Sequence, residues 1–122
     1  MDKKIAKRWC QALRSGKYNQ VTDNLAFQYN DEQIGYCCLG VLCELYNKSH
    51  GKKPLKPKKY GKGEIFSFYG EEMHLPTRVM KWAGIKSTDG MYSDAASLAI
   101  DNDDGKTFKQ IAKIIEKQVE NL

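Results

Sequence analysis

Four thiols and two imidazoles are the side chains of this 122-residue protein that could most readily carry out chemistry. They are Cys10, Cys37, Cys38, Cys43, His50 and His74. The cysteines lack the Cys-x-x-Cys spacing of a zinc site, and two histidines are too few to complete one. His50 follows Cys43 by seven residues, which along one helix is about 10 Å, too far for the hydrogen bond that activates a nucleophile. We therefore predict a non-enzymatic protein with no metal site, no catalytic residue and no cofactor.

Three of the thiols belong to the most apolar stretch of the chain, residues 34–46 (IGYCCLGVLCELY). Glu44 is the only charged residue in it, and apolar side chains recur at helical spacing on nearly every side. This pattern predicts a buried central helix in which the cysteines behave as small, inert hydrophobic residues. Gly40 would weaken the interior of such a helix. We expect it in the first turn, or where another backbone passes close by.

Polar residues in two separate segments form a candidate ligand site. Lys17, Tyr18 and Gln20 follow the end of a predicted helix and offer a cation, an aromatic ring and an amide. Such a set suits a phosphate and a nucleobase. Asn102 and Asp103 lie in a second polar segment and could accept hydrogen bonds from hydroxyl groups or an exocyclic amine. The alternative interpretation is ordinary polar surface.

The net charge of +5 is concentrated in residues 48–62, a segment with seven lysines and no acidic residue. The other 107 residues carry thirteen basic and fifteen acidic side chains, a net charge of −2. Because a basic segment can neutralise phosphates, nucleic-acid binding is our alternative function. Its candidate residues are Lys52, Lys53, Lys56, Lys58 and Lys59. The segment has no arginine and one aromatic residue, Tyr60, whereas nucleic-acid modules usually mix basic and aromatic residues over a face.

Hydrophobic periodicity predicts an α+β fold in a single domain, residues 1–122. A small antiparallel sheet of two to three strands is expected to pack against the buried central helix and flanking amphipathic helices. The predicted strands are residues 25–29, 34–37 and 64–69. The helices predicted around the central one are residues 2–15, a short helix that starts at Pro76, a second capped by Ser93 or Asp94, and a C-terminal helix that starts at a Thr107–Gln110 capping box. Pro54 and Pro57 predict a lysine-rich loop or insert at about residues 48–63.

The longest apolar run is shorter than the roughly 20 residues that a membrane helix needs. The N-terminal sequence MDKKIAKRW is charged and lacks the apolar core of a signal peptide. We therefore expect a cytoplasmic protein that does not enter a membrane. Its oligomeric state stays open.

Several motifs occur along the chain in a recognisable order. WxxALxSGxYxQ begins at Trp9, YCCLGVLC at Tyr36, LP at Leu75, and NDxGxTFxxIA at Asn102, with Trp82 in between. On these residues the chain resembles a family of short proteins encoded by tailed bacteriophages and prophages. The resemblance spans nearly the whole length, and the lysine-rich segment lies outside it.

This resemblance implies a small accessory phage protein that acts in the host cytoplasm, a class that includes counter-defence factors able to bind cyclic-nucleotide immune signals. Our leading hypothesis is therefore a counter-defence factor that binds and sequesters a nucleotide-derived signalling molecule at the candidate ligand site. Nucleic-acid binding through the lysine-rich segment is one alternative, and an inhibitor that docks on a host protein is another. The identity of the ligand and of any host target stays open.

Overall fold

The computed structural model describes residues 1–30, 32–51 and 55–122. Its helices are α1 (Lys3–Arg14), α2 (Cys38–His50), α3 (Thr77–Ala83), α4 (Leu98–Asp103) and α5 (Phe108–Gln118). Its strands are β1 (Asn19–Gln20), β2 (Ala26–Tyr29), β3 (Gly35–Tyr36), β4 (Leu55–Tyr60), β5 (Gly63–Phe68), β6 (Met91–Ser93) and β7 (Ala96–Ser97). Over these residues no helix combines the length and the apolar character required to cross a membrane.

The first and last helices pack against each other, and both predictions are confirmed. Asp2 caps α1 because its side chain accepts a hydrogen bond from Ile5 N at 3.0 Å. Thr107 and Gln110 form the predicted capping box at the start of α5. Each cap satisfies backbone N–H groups that have no partner within the helix.

Helix α2 is the predicted central helix, and its burial confirms the interpretation of the apolar stretch. Cys37 caps its N-terminus, since its sulfur accepts a hydrogen bond from Gly40 N at 3.4 Å. Gly51, in the left-handed conformation with φ 61°, ends it. Eight of its thirteen residues are buried. A helix buried on most sides depends on its neighbours more than on its own propensity.

Gly40 satisfies both expectations, because it lies in the first turn of α2 and another backbone crosses it there. A Cβ atom built on Gly40 would stand 2.7 Å from the carbonyl carbon of Leu25 and closer still to the carbonyl oxygen. The same oxygen accepts a hydrogen bond from Cys37 N at 3.2 Å. The chain that enters β2 therefore lies directly on the helix without an intervening side chain.

The main sheet has five strands in the order β1-β3-β2-β5-β4, so the prediction of two to three strands is wrong in number. Strands β1 and β3 are parallel, whereas the other neighbours are antiparallel, so the sheet is mixed. Strand β1 escaped prediction because its two residues, Asn19 and Gln20, are polar and exposed. The coarse expectation of helices packed with a sheet agrees with the structure.

The lysine-rich loop prediction is wrong for residues 55–60, which form the edge strand β4. Helix α2 also reaches His50 and includes Lys48, so regular structure enters the segment from both sides. Pro57 is tolerated because an edge strand has one side without a neighbour, where a missing N–H group costs no ladder bond. Lys52 and Lys53 lie outside the described residues.

The cap predicted at Ser93 or Asp94 is also wrong. Ser93 ends β6, which forms a two-stranded sheet with β7. Helix α4 begins later, and its cap is Ser97, whose hydroxyl accepts a hydrogen bond from Ile100 N at 3.2 Å. Several small polar residues compete for the cap in this region, so composition alone identified the wrong one.

Gly40→Ala is expected to lower the free energy of unfolding by about 3 kcal/mol, because the new methyl group meets main-chain atoms that cannot rotate away. Urea denaturation followed by circular dichroism measures the change. Ser49→Ala, on the exposed side of the same helix, is the control and should stay within about 0.5 kcal/mol of the parent. Equal stability of Gly40→Ala and the parent would contradict the close approach.

Candidate functional site

The two segments predicted to form the ligand site meet through Gln20. Its side-chain amide nitrogen donates to Asn102 Oδ1 at 2.9 Å and to the carbonyl oxygen of Lys106 at 2.8 Å. Its carbonyl oxygen accepts from Phe108 N at 3.2 Å. Both ends of this amide are therefore bound within the protein, and they connect β1 to the segment between α4 and α5.

Asn102 is the centre of the same network and is 1% exposed. Its Oδ1 also accepts from Cys38 N at 3.1 Å, and its Nδ2 donates to the carbonyl oxygen of Val21 at 2.9 Å. Asp103 contributes from the surface, since its Oδ1 accepts from Asp23 N at 2.9 Å. We call Gln20, Asn102 and Asp103 the loop clasp, because their hydrogen bonds hold the segments together. A ligand would have to replace these bonds to use the same atoms.

Tyr18 and Lys17 contribute a different surface. The hydroxyl of Tyr18 accepts a hydrogen bond from Lys48 Nζ at 2.9 Å, and its ring meets the ring of Tyr36 edge-on with centroids 5.4 Å apart. This hydrogen bond raises the pKa of Lys48. Lys17 is exposed beside them. The predicted cation is thus exposed, and the predicted aromatic ring is half-buried beside a lysine from α2.

Asn102→Ala is expected to lower the free energy of unfolding by about 2 to 4 kcal/mol in the absence of any ligand, because Cys38 N and Val21 O lose a buried partner. Thermal and urea unfolding measure it. Asp103→Ala, whose bond lies at the surface, serves as the control and should cost less than about 1 kcal/mol. A stable Asn102→Ala protein would indicate that the clasp does not hold the loops.

All four cysteines are buried and unpaired, as predicted for interior residues. Burial raises the pKa of Cys10 and Cys37 to about 11, and raises the pKa of Cys38 and Cys43 well above the ordinary value. The Cys38 thiol donates to Leu98 O at 3.5 Å. Such thiols stay protonated near neutral pH and are poor nucleophiles.

The raised thiol pKa values predict that the protein loses stability in alkaline solution. In the unfolded chain the Cys37 thiol has its ordinary pKa of 9.0. In the folded protein the same thiol has a pKa of about 11 and stays protonated up to that pH. Between these values the unfolded state binds fewer protons, so the free energy of unfolding falls as pH rises.

Cys37→Ser should remove about 2 kcal/mol of this alkaline loss, because serine keeps the helix cap and does not ionise. Urea denaturation at a series of pH values measures the slope for both proteins. Burial also raises the pKa of Tyr36, to about 12, so the comparison with the parent is needed to isolate the thiol. Identical slopes would contradict the assignment.

The histidines have local partners. His50 stacks on Tyr46 with centroids 4.0 Å apart, and its Nδ1 lies 2.8 Å from the carbonyl oxygen of the same residue. His74 Nδ1 lies 2.7 Å from Asp89 Oδ1 at the surface. Among residues 1–30, 32–51 and 55–122, no group of three His, Cys, Asp or Glu side chains is arranged to hold a metal ion.

One side of the main sheet faces away from the core. Residues opposite one another on paired strands point to the same side, and successive residues alternate. Phe66 and Phe68 point into the core cluster, so their neighbour Ile65 points outward with its register partners Phe27 and Lys58. We call the side formed by Phe27, Tyr29, Lys56, Lys58 and Tyr60 the outer face.

The outer face combines exposed aromatic rings with positive charge. Tyr29 is 55% exposed and Tyr60 is 65% exposed, although large aromatic side chains are usually buried. Phe27 meets Tyr29 edge-on with centroids 5.1 Å apart. Lys56 and Lys58 are both exposed on β4, the strand that carries Tyr60. Sequence reasoning missed this face because its aromatic residues come from two strands that are distant in the chain.

The remaining lysine candidate with a described position is Lys59. It pairs in register with Glu64 and points to the opposite side of the sheet from Lys58. Of the five lysines predicted for nucleic-acid binding, the structure therefore places two on the outer face.

The chain belongs to the protein family described as "Domain of unknown function (DUF8296)", whose model matches residues 1–119. No curated protein and no solved structure matches it.

Proposed function

We propose that this protein binds single-stranded nucleic acid on the outer face of its main sheet. The observation that carries the proposal is the placement of three aromatic rings and two lysines on one solvent-facing side. Proteins that bind single strands stack bases on exposed aromatic rings and track the phosphates with positive charge. The lysine-rich segment predicted as the alternative site supplies the positive part of this arrangement.

The spacing of the two exposed tyrosines suits successive contacts along a strand. Tyr29 and Tyr60 both pair in register with Gly63, one from each side. They are therefore separated by two strand spacings, about 10 Å. The ring of Phe27 lies over Gly63, where a Cβ atom would come within 2.6 Å of it. The Phe27 ring thus provides apolar surface between the two tyrosines, and each tyrosine can accept the face of a base.

Single strands fit this face better than a duplex does. An exposed aromatic ring on a sheet can stack only on a base that is free of its neighbours, as in loops and single strands. Reading a duplex instead requires an element that enters a groove. Lys56 and Lys58 alternate with Pro57 along β4 and can follow a phosphate backbone that runs beside the rings.

Sequestration of a nucleotide-derived signal by a phage counter-defence protein is our second candidate. The observation that favours it is the pair formed by half-buried Tyr18 and exposed Lys48, with exposed Lys17 next in the chain, since Lys48 Nζ lies 5.3 Å from the centre of the Tyr18 ring. Such a pair can receive a base and a phosphate. Cyclic dinucleotides and single strands share this chemistry, so both belong in one binding experiment.

Fluorescence anisotropy with labelled oligonucleotides of about 16 nucleotides, the upper end of site sizes for a small single-strand module, tests the proposal. We expect Tyr29→Ala and Tyr60→Ala each to weaken binding about tenfold through lost stacking. Because both rings are exposed, melting temperatures should change little. Unlabelled cyclic dinucleotides serve as competitors. If Tyr18→Ala weakens the binding of cyclic dinucleotides and leaves the binding of oligonucleotides unchanged, the second candidate is favoured.

The charge contribution has a matched control. Lys56→Gln/Lys58→Gln should reduce the slope of log affinity against log salt by about 1.4, measured between about 50 and 200 mM salt. Lys109→Gln/Lys113→Gln removes the same charge from exposed positions on α5 and should leave the slope nearly unchanged. Lysines also protect edge strands from pairing with a second chain. Self-association of the β4 variant, with no change in nucleic-acid binding, would contradict the proposal.

A further inference from the structure

We propose that a groove beside the outer face reads the edge of one base and favours bases with an exocyclic amine, such as cytosine and adenine, over uracil and thymine. This inference rests on the proposed function. The groove consists of two neighbouring depressions of about 510 and 410 Å³. Both are lined by Gln20, Val21, Phe27 and Tyr29. A base stacked on Tyr29 would therefore have its edge at the groove.

The floor of the groove is apolar and closely packed. Val21 covers Gly35, whose missing side chain leaves room for it, because a Cβ atom on Gly35 would overlap the Val21 side chain. Phe27 and Tyr29 form one wall. Volumes of this size fall in the range of small-molecule sites, and here polar side chains line the groove beside the apolar ones. The polar groups at the rim then decide which ligand edge fits.

An amide pair provides the first polar contact at the rim. Asn19 Nδ2 donates to Gln33 Oε1 at 3.3 Å. Asn19 Oδ1 and Gln33 Nε2 have no other hydrogen-bond partner among the residues that the structure describes. The pair therefore leaves one acceptor, Asn19 Oδ1, and one donor, Gln33 Nε2, at the rim. These groups can bind the polar edge of a base, but they do not choose between an exocyclic amine next to an accepting ring nitrogen and a carbonyl oxygen next to an N–H group.

Carboxylates give the groove its preference. Glu32 lines the larger depression and Asp23 the smaller one. An ionised carboxylate only accepts hydrogen bonds, so it favours an amine, as in carboxylate contacts to cytosine N4. It repels a phosphate and the carbonyl oxygens of uracil. The lysines that attract phosphates lie on β4, two strand spacings or about 10 Å from β2. The separated charges therefore orient a bound nucleic-acid strand with its phosphates at β4 and its bases towards the groove.

The test compares labelled oligodeoxycytidine and oligodeoxyuridine of equal length, since their bases differ in the donor and acceptor pattern of the same edge. Fluorescence anisotropy at slightly alkaline pH keeps cytosine unprotonated. We expect the parent protein to bind the cytosine strand about tenfold more tightly, the size of one good paired contact. Glu32→Gln should lower this ratio towards one, because the new side-chain amide can also donate to the carbonyl oxygens of uracil.

Two variants keep the test specific. Lys58→Gln should weaken both strands equally and preserve the ratio, because phosphate contacts carry no base information. Gln11→Ala removes an exposed amide on α1 and should change neither affinity. Circular dichroism checks that Glu32→Gln is folded.

Each outcome supports or overturns the inference. Equal binding of the two strands by the parent, or a preference for uracil, would overturn base reading and leave single-strand binding in place. A ratio unchanged in folded Glu32→Gln would overturn the inference that a carboxylate of the groove sets the preference. Failure of the parent to bind either strand would end both proposals.

Discussion

The contact between the carbonyl of Leu25 and Gly40 is the constraint on which the rest of the structure depends. It sets the sheet directly against α2 at main-chain distance. Leu25 is fixed there by both of its backbone polar groups, since its N–H donates to Glu72 O at 2.7 Å and its carbonyl accepts from Cys37 N. The backbone at Leu25 thus occupies one side of α2, and α1 covers a second side. Trp9 of α1 donates a hydrogen bond from Nε1 to Cys38 O at 2.9 Å. The thiols are enclosed as a result.

This construction separates the interior from the surface that we propose to be functional. Strand alternation sends Phe66 and Phe68 into the core while it sends Ile65 to the outer face. The loop clasp then fixes β1 beside β3, and the polar rim of the groove depends on that placement. Tight packing on the core side of the sheet thus fixes the strands that form the outer face. The side chains of the outer face do not take part in this packing, so a ligand, and not the core, can determine which residues stand there.

The sequence predicted the elements whose local signals agree with their tertiary environment. Helices α1, α2 and α5 carry strong periodicity or a cap, and Phe66 and Phe68 of β5 alternate in the expected way. Strand β2 lies where it was predicted, but its large apolar residues Phe27 and Tyr29 face outward while Ala26 faces the core. Gly40 was interpreted correctly because a glycine within an apolar helix usually marks a position where a side chain would not fit. Strand β1 was missed because two polar residues give no periodic signal, and β4 was missed because Pro57 excludes only a central strand, not an edge.

The candidate site was harder to predict for a physical reason. Gln20 and Asn102 were chosen because they are polar, but their hydrogen bonds show that polarity here serves the connection between segments. Tyr29 and Tyr60 belong to one surface only through their common neighbour Gly63. Register of this kind is a property of the assembled sheet, and it cannot be predicted from a single sequence unless the pairs of strands are known.

The loop clasp also bears on how the chain folds during synthesis. Gln20 and Asn102 are 82 positions apart, and α1 packs on α5, which is made after the other four helices described here. Contacts at such separation form late because the intervening loop must close first. While the ribosome is still adding α5, the emerging N-terminal part has apolar surface on α1 and α2 without its final cover, which is the condition under which chaperones engage nascent chains.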